Sequence, residues 1–233
     1  MARGSQLLTL VTMLREEVGR ATSVAVGIDD MPMLKQKLKR SQEILYDDYD
    51  WPFLRQVFPL KALSAGEQYY DFPTDLNVER VEQVHVWYSN FPQPLTRGIG
   101  VKEYAIYNSN TGVTSEPAMR WDVRWTGTAE QFEIWPIPTS NTQTIQFTGI
   151  RNLRALVSDS DVADLDDQAI VLTAAAEILA KQGNQSAPDV GKLAMGRIRQ
   201  IKGLQRGAAR TRRMGQGPTT GDERIPIIVH ARS

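Results

Sequence analysis

The amino-acid sequence predicts an α+β protein: a helical bundle formed by N- and C-terminal helices, with an inserted antiparallel β-rich module and an extended C-terminal tail. Apolar residues recur at helical spacing near both ends but alternate over short runs between them. All five tryptophans lie in or beside the middle region, where aromatic pairs favour strands. The predicted domains are the discontinuous bundle, residues 1–52 and 158–214, the β-rich module, residues 53–157, and the tail, residues 215–233.

Two amphipathic helices are predicted at the N-terminus. Apolar residues at i, i+3, i+4, i+7 and i+11 run through Ser5–Val18 and predict a helix that Ser5 caps. A second helix begins at Asp29 or Asp30 and ends before Pro52, because proline disfavours helical geometry in the preceding residue.

The middle region predicts six strands and one short helix, Val101–Tyr107. The first two strands flank a Ser-Ala-Gly turn and are expected to pair as a hairpin. In chain order the predicted strands are Gln56–Leu63, Glu67–Phe72, Arg80–Tyr88, Met119–Trp125, Gln131–Trp135 and Thr142–Ile150.

Helical spacing returns after a run of five aspartates, which we call the acidic run: Asp159, Asp161, Asp164, Asp166 and Asp167. It precedes a helix at Gln168–Lys181, where the helix dipole favours negative charge. A last helix, from Pro188 to about Arg213, carries a basic stripe: Lys192, Arg199, Lys202, Arg206, Arg210 and Arg213. The acidic run and the basic stripe are candidates for pairing between neighbouring subunits, and direct contact of the stripe with nucleic acid is the alternative.

The C-terminal tail carries a cluster of apolar residues after a glycine-containing link: Ile225, Pro226, Ile227, Ile228 and Val229. So short a strand does not hold itself together. We expect it to bind a partner's sheet edge or groove, and docking on the chain's own β-rich module is the alternative.

Composition and motifs argue against several classes of function. Lysine and arginine number 27, as do aspartate and glutamate, which disfavours a protein that coats DNA. There is no cysteine, nucleotide-binding loop, HExxH motif or nucleophile elbow, and neither His85 nor His230 has a catalytic setting. We therefore predict no cofactor and no metal. The absence of a long apolar run or secretion signal predicts a protein made in the cytoplasm without membrane contact.

One cluster favours a different class of protein. Asp47, Asp48 and Asp50 are interleaved with Tyr46, Tyr49 and Trp51, a composition found in sugar-handling sites. Solvation of a helix end, or a contact between subunits, explains it more simply. A glycan-binding or glycan-cleaving accessory protein remains an alternative, beside a free DNA-binding protein that uses the basic stripe.

Four stretches, in this order, resemble the head-to-tail adaptor (connector, or head-completion) proteins of tailed bacteriophages, especially the type similar to the upper tail-tube protein of short-tailed phages. Residues 46–54, YDDYDWPFL, resemble the family's helix-to-strand junction. Residues 66–76, GEQYYDFPTDL, resemble its strand and turn of pattern G-x-x-x-Y-x-L-P-x-D, and residues 81–88 resemble the next strand. Residues 132–138, FEIWPIP, resemble a strand that ends in two prolines. Phe72 replaces the usual leucine, and the C-terminal tail is unusual.

The resemblance implies a structural virion protein, synthesised in the bacterial host, that forms a dodecameric ring beneath the portal protein. This ring would extend the channel through which double-stranded DNA passes and would join the head to the tail. The helices would form ring contacts and meet the portal, the β-rich module would face the downstream tail or nozzle protein, and the C-terminal tail would hook onto the portal.

Overall fold

A computed structural model of the chain describes residues 3–20 and 30–205 and has an α+β fold. The helices are α1 (Leu7–Glu17), α2 (Met31–Asp47), α3 (Val101–Ile106), α4 (Asp167–Lys181) and α5 (Ala187–Gln205). The strands are β1 (Arg55–Val57), β2 (Lys61–Ala62), β3 (Tyr69–Asp71), β4 (Leu76–Tyr88), β5 (Phe91–Pro94), β6 (Thr96–Arg97), β7 (Arg120–Trp125), β8 (Glu130–Trp135) and β9 (Thr144–Arg151).

The two N-terminal helices lie where the apolar spacing predicts them. The predicted cap of α1 is wrong, because the N-cap residue is Gln6 and the Ser5 hydroxyl instead donates to Asp167 Oδ2 at 2.7 Å. Asp30 is the N-cap residue of α2. The Trp51 indole N–H, four residues beyond α2, donates to the Leu45 carbonyl at 2.8 Å and fixes the chain as it leaves the helix.

Helices from both ends of the chain share one hydrophobic core. α4 lies against α1, α2 and α5, and its small residues Ala174 and Ala175 are fully buried. Leu10 and Leu14 of α1, with Leu38 of α2, complete the centre of this core. A helix that is apolar on more than one side, as α4 is, has to be covered by several neighbours.

The strands form two sheets. In the first, the order is β1-β9-β4-β5, with β2 also paired to β9; in the second, it is β3-β8-β7-β6. The predicted hairpin of Gln56–Leu63 with Glu67–Phe72 is wrong, because β1 and β2 pair with β9 whereas β3 pairs with β8. Pro59 has no N–H to donate and interrupts the first segment, and pairing with β9 buries Phe58 and Leu63.

A second, aromatic core lies in the β-rich module. Tyr70 and Phe132 are register partners on β3 and β8, and their rings stack with centroids 5.4 Å apart. Phe147 of β9 lies edge-on to Phe132 at 5.0 Å and so links the two sheets. The predictions of β4, β7, β8, β9 and α3 are confirmed, with ends moved by a few residues. Strand β5 was not predicted, since its two prolines are unusual in a strand and are tolerated here at a sheet edge.

Candidate functional site

The acidic run lies at the junction between the helical core and the β-rich module. Residues Arg3 and Gln6 run antiparallel to it and form β-bridges with Asp166 and Val162. Asp166 is the N-cap residue of α4, where its carboxylate accepts from the Ala169 N–H at 3.1 Å. The same carboxylate accepts two hydrogen bonds from the Arg197 guanidinium of α5, at 2.8 and 3.0 Å. This contact raises the pKa of Arg197 and ties α5 to the start of α4.

Asp164 forms a second, denser contact, which we call the Asp164 clamp. Its buried carboxylate accepts from Arg151 Nη1 at 3.1 Å and from Arg154 Nε at 2.8 Å, and also from the Arg154 backbone N–H. Its own N–H donates to the side chain of Gln42 in α2 at 3.1 Å. Burial alone would raise the pKa of Asp164, but the hydrogen bonds from Arg151 and Arg154 outweigh it, and the pKa is lowered. The clamp therefore joins the end of β9 to α2.

The other three aspartates of the acidic run also have partners within the subunit. Asp159 pairs with Lys35 of α2. Asp161 accepts from the backbone N–H groups of Val157 and Ser158 at 2.7 Å each, which lowers its pKa. Asp167 is buried and bonded to Ser5. Pairing of the acidic run with a neighbouring subunit stays a prediction, and only Asp159 and Asp161 are accessible enough to take part.

Three residues of the basic stripe, Lys192, Arg199 and Lys202, lie in the described part of the chain and have different surroundings. Lys192 pairs with Asp189 of the same helix at 3.0 Å, and Arg199 is exposed. Lys202 pairs with Asp48 at 2.6 Å, and its ammonium also lies 5.0 Å from the centre of the Tyr49 ring. Arg206, Arg210 and Arg213 lie outside the described residues. The role of the stripe in subunit or nucleic-acid contacts stays a prediction.

Two cationic side chains, Arg80 and Lys202, contact the aromatic and acidic cluster at the end of α2. The Arg80 guanidinium lies 4.4 Å from the centre of the Tyr46 ring and donates to the Tyr46 carbonyl at 2.8 Å. It also lies within 3.8 Å of the carboxylates of Asp47 and Asp50. Because Tyr46 and Trp51 are buried, their faces are not available to stack on a sugar ring. The geometry supports a packed helix end rather than a glycan site.

Sequence reasoning missed a buried ionic network in the β-rich module. Glu133 of β8 is fully buried and accepts from Arg124 Nε at 2.7 Å, from the Tyr104 hydroxyl at 2.6 Å and from the Gln68 amide at 2.9 Å. Burial and the bond to Glu133 raise the pKa of Tyr104 to about 12, so this phenol stays protonated and donating. The network fastens α3 to β7 and β8. Glutamate in an alternating strand gives no sign that its side chain points inward.

Of the remaining sequence candidates, the structure describes only His85. His85 lies on β4, partly buried, and His230 lies outside the described residues, as does the apolar cluster Ile225–Val229. Within residues 3–20 and 30–205, no group of three or more histidine or acidic side chains is arranged to hold a metal ion. In the same ranges, no helix combines the length and apolar character needed to cross a membrane.

In the described residues, these ionic side chains bond to one another and to the backbone: they join α4 to α5, β9 to α2, and α3 to β7 and β8. The model of the SU10 adaptor protein family matches residues 5–221, nearly the whole chain. The chain therefore belongs to this family of phage head-to-tail adaptors, which confirms the resemblance carried by the four sequence stretches. Membership implies a structural component of the virion neck that associates with portal and tail proteins. A search of curated proteins finds no match.

Proposed function

We propose that the protein assembles into a dodecameric ring beneath the portal protein, extends the DNA channel and joins the capsid to the tail. The observation that carries this proposal is the family match over residues 5–221, which spans both the helical core and the β-rich module. Two cores on one chain suit a connector, because each presents a separate surface to a different neighbour. The Asp164 clamp holds the two cores together.

The parts of the fold take different roles in this proposal. The discontinuous helical unit, residues 1–52 and 158–214, forms the ring contacts and meets the portal. The β-rich module, residues 53–157, faces the next tail component, and its exposed Phe91 and Trp125 support this assignment, since exposed apolar groups mark contact surfaces. The C-terminal tail, residues 215–233, anchors the ring to the portal through Ile225–Val229.

The first test is electron microscopy of the protein mixed with the portal ring encoded beside it. We expect a second ring stacked coaxially on the portal, and its symmetry gives the copy number. Portals that stay bare, while circular dichroism shows the protein folded, would refute the proposal. The DNA-binding and glycan-binding alternatives would then be favoured.

A tail variant tests the portal anchor separately. Replacing Ile225 and Ile227 with serine should abolish stacking on the portal, because both apolar groups that would enter partner pockets are lost. Serine at Thr219 and Thr220 is the matched control and should stack normally. Stacking by the isoleucine variant at the level of the control would exclude the tail as the anchor.

A further inference from the structure

A groove of about 460 Å³ lies between α1 and α5, with α4 at its base. Its apolar surface includes Met13 of α1, Leu172 of α4 and the exposed Leu193 of α5. Glu16 and Glu17 of α1 form one rim, and neither makes an ion pair within the described part of the chain. We call this surface the acidic groove.

Two cations, Lys192 and Arg197, also line the acidic groove, but each is paired with an aspartate rather than with Glu16 or Glu17. Lys192 lies 3.0 Å from Asp189, and Arg197 is held by Asp166. The two rim glutamates are therefore the unmatched charges of this surface, above a patch of apolar side chains. A partner that covers the groove has to bring both apolar groups and positive charge.

Gly196 lines the groove and has no packing function inside the subunit. A Cβ atom placed there meets nothing within 4 Å, although glycine within a helix is destabilising relative to alanine. A missing side chain on an exposed helix face allows another backbone to approach closely. Gly191 and Gly203 of α5 are equally open, so the space at Gly196 permits a helix against the groove but does not by itself select it.

A lateral face of α2, beside α4, carries the complementary surface, which we call the basic ridge. Met33, Lys37, Arg40 and Ile44 are spaced i, i+4, i+7 and i+11 and so lie on one face of the helix. Met33 and Ile44 are exposed, and the Arg40 side chain is 57% exposed. The ridge thus presents two apolar groups with positive charge between them.

The positive charge of the basic ridge exceeds what the subunit neutralises. Glu177 of α4 is shared by three cations: Lys37 at 2.6 Å, Lys181 at 3.5 Å and Arg40 at 3.6 Å. The nearby charge of Lys37 lowers the pKa of Lys181, as expected for repulsion between like charges. An anionic partner would relieve this repulsion.

We propose that the basic ridge of one subunit docks into the acidic groove of the next subunit in the ring. This inference rests on the proposed ring and names the two faces that build it. Leu34 and Leu38 face the helical core, and the ridge lies about a quarter turn from them on α2, beside α4. The groove is lined by α1, α4 and α5 and includes no residue of α2. Two different faces in contact make a heterologous interface, the kind that closes a ring. An amphipathic helix laid in an apolar groove is a recurrent mode of binding.

Charge reversal tests the contact in the presence of the portal. Glu16→Lys with Glu17→Lys should lower the fraction of portals that carry a ring by about tenfold or more, because like charges then face each other. Arg40→Glu with Lys181→Glu reverses the ridge arginine and the α4 lysine beside it, which shares Glu177, and should have the same effect. The protein that carries all four changes should recover ring formation. Glu79→Lys with Glu130→Lys, on exposed sites of the β-rich module, is the matched control and should assemble normally.

A cross-linking experiment reads the geometry directly, since the natural chain has no cysteine. Ile44→Cys with Leu193→Cys in one chain should give a ladder of covalent oligomers after oxidation on the portal. Each single variant should stay monomeric under the same conditions.

The outcomes separate this inference from the proposed function. Rings that form without a ladder, or that tolerate both reversals, would overturn the inference and leave the ring intact. Covalent dimers from either single variant would show a two-fold contact and overturn it too. Failure of the unaltered protein to form any ring with the portal would refute the proposed function, and with it the inference that rests on it.

Discussion

Replacing Asp164 with asparagine removes one negative charge from the centre of the clamp and keeps the shape of the side chain. The carboxylate is fully buried and faces two guanidinium groups, those of Arg151 and Arg154. Asparagine accepts on one side only and presents an N–H₂ group to the cations on the other. The change therefore leaves two positive charges without their anion at the junction of β9 and α2.

The loss in free energy of unfolding depends on how exposed the two arginine side chains are to solvent. Removing one partner of a fully buried ion pair costs about 3–5 kcal/mol. The Arg154 side chain is 61% exposed and can turn to solvent, whereas Arg151 is only 24% exposed and stays confined. We therefore expect Asp164→Asn to lower the free energy of unfolding by about 2–4 kcal/mol at neutral pH, somewhat below the fully buried case.

The assay is urea unfolding followed by circular dichroism, repeated from pH 7 downward. The folded-state pKa of Asp164 is lowered, so its contribution is present above the pKa of the unfolded chain, near 4, and is lost as pH falls through the folded value. The wild type should begin to lose its advantage over the variant below about pH 4 and lose its ionic part once pH falls below the folded-state pKa. The control is Asp161→Asn, at a partly exposed carboxylate with no arginine partner.

Two results would contradict the reasoning. One is equal stability of the wild type and Asp164→Asn at pH 7, which would mean that burial cancels the ionic contact. The other is a stability difference that does not change between pH 7 and pH 3, because the loss would then be steric and independent of charge.

Further predictions concern the two sheets and the helical core. Gly149→Ala should destabilise by about 1–3 kcal/mol in thermal melts, because its Cβ would lie 2.8 Å from the Arg80 carbonyl oxygen of β4. Gly196→Ala, with open space around it, should instead raise stability by up to about 1 kcal/mol, and equal effects at the two glycines would exclude the steric argument. Asp166→Ala should cost about 2–4 kcal/mol, since the cap of α4 and the partner of Arg197 both disappear. Asp166→Asn keeps the cap, so a loss as large as that of alanine would assign the whole effect to Arg197.

The sequence predicted the elements far better than their pairing. The helical stripe within Ser5–Val18 and the alternation within Arg80–Tyr88 are local signals, and the corresponding elements form close to their predicted limits. The pairing of β1 with β9 joins residues about ninety positions apart, and no local pattern encodes it. A turn sequence after Leu63 indicated a hairpin, but burial of aromatic side chains between two sheets outweighed the turn.

The site was harder to predict than the fold. A run of acidic residues normally lies in solvent, so Asp164 and Asp166 were predicted to face a neighbouring subunit. Their partners Arg151 and Arg197 lie on either side of the run along the chain, and only the folded structure brings them to it. Arg197 does not follow the seven-residue spacing of the basic stripe, so the spacing did not predict its contact. It nevertheless forms the ion pair between α5 and the buried Asp166.

The net charge of zero conceals a segregation of charge that bears on assembly. Some charges are paired inside the subunit: Asp164 joins the end of β9 to α2, and Asp166 joins α4 to α5. These pairs leave no charge for a partner. Among the described residues, two helix faces carry surplus charge of opposite sign, negative at Glu16 and Glu17 and positive around Glu177. In the proposed ring, each surplus meets its opposite on the next subunit, so every subunit uses both faces. A free monomer leaves both uncovered, so monomers should associate less readily as salt rises, while the internal clamp is screened much less.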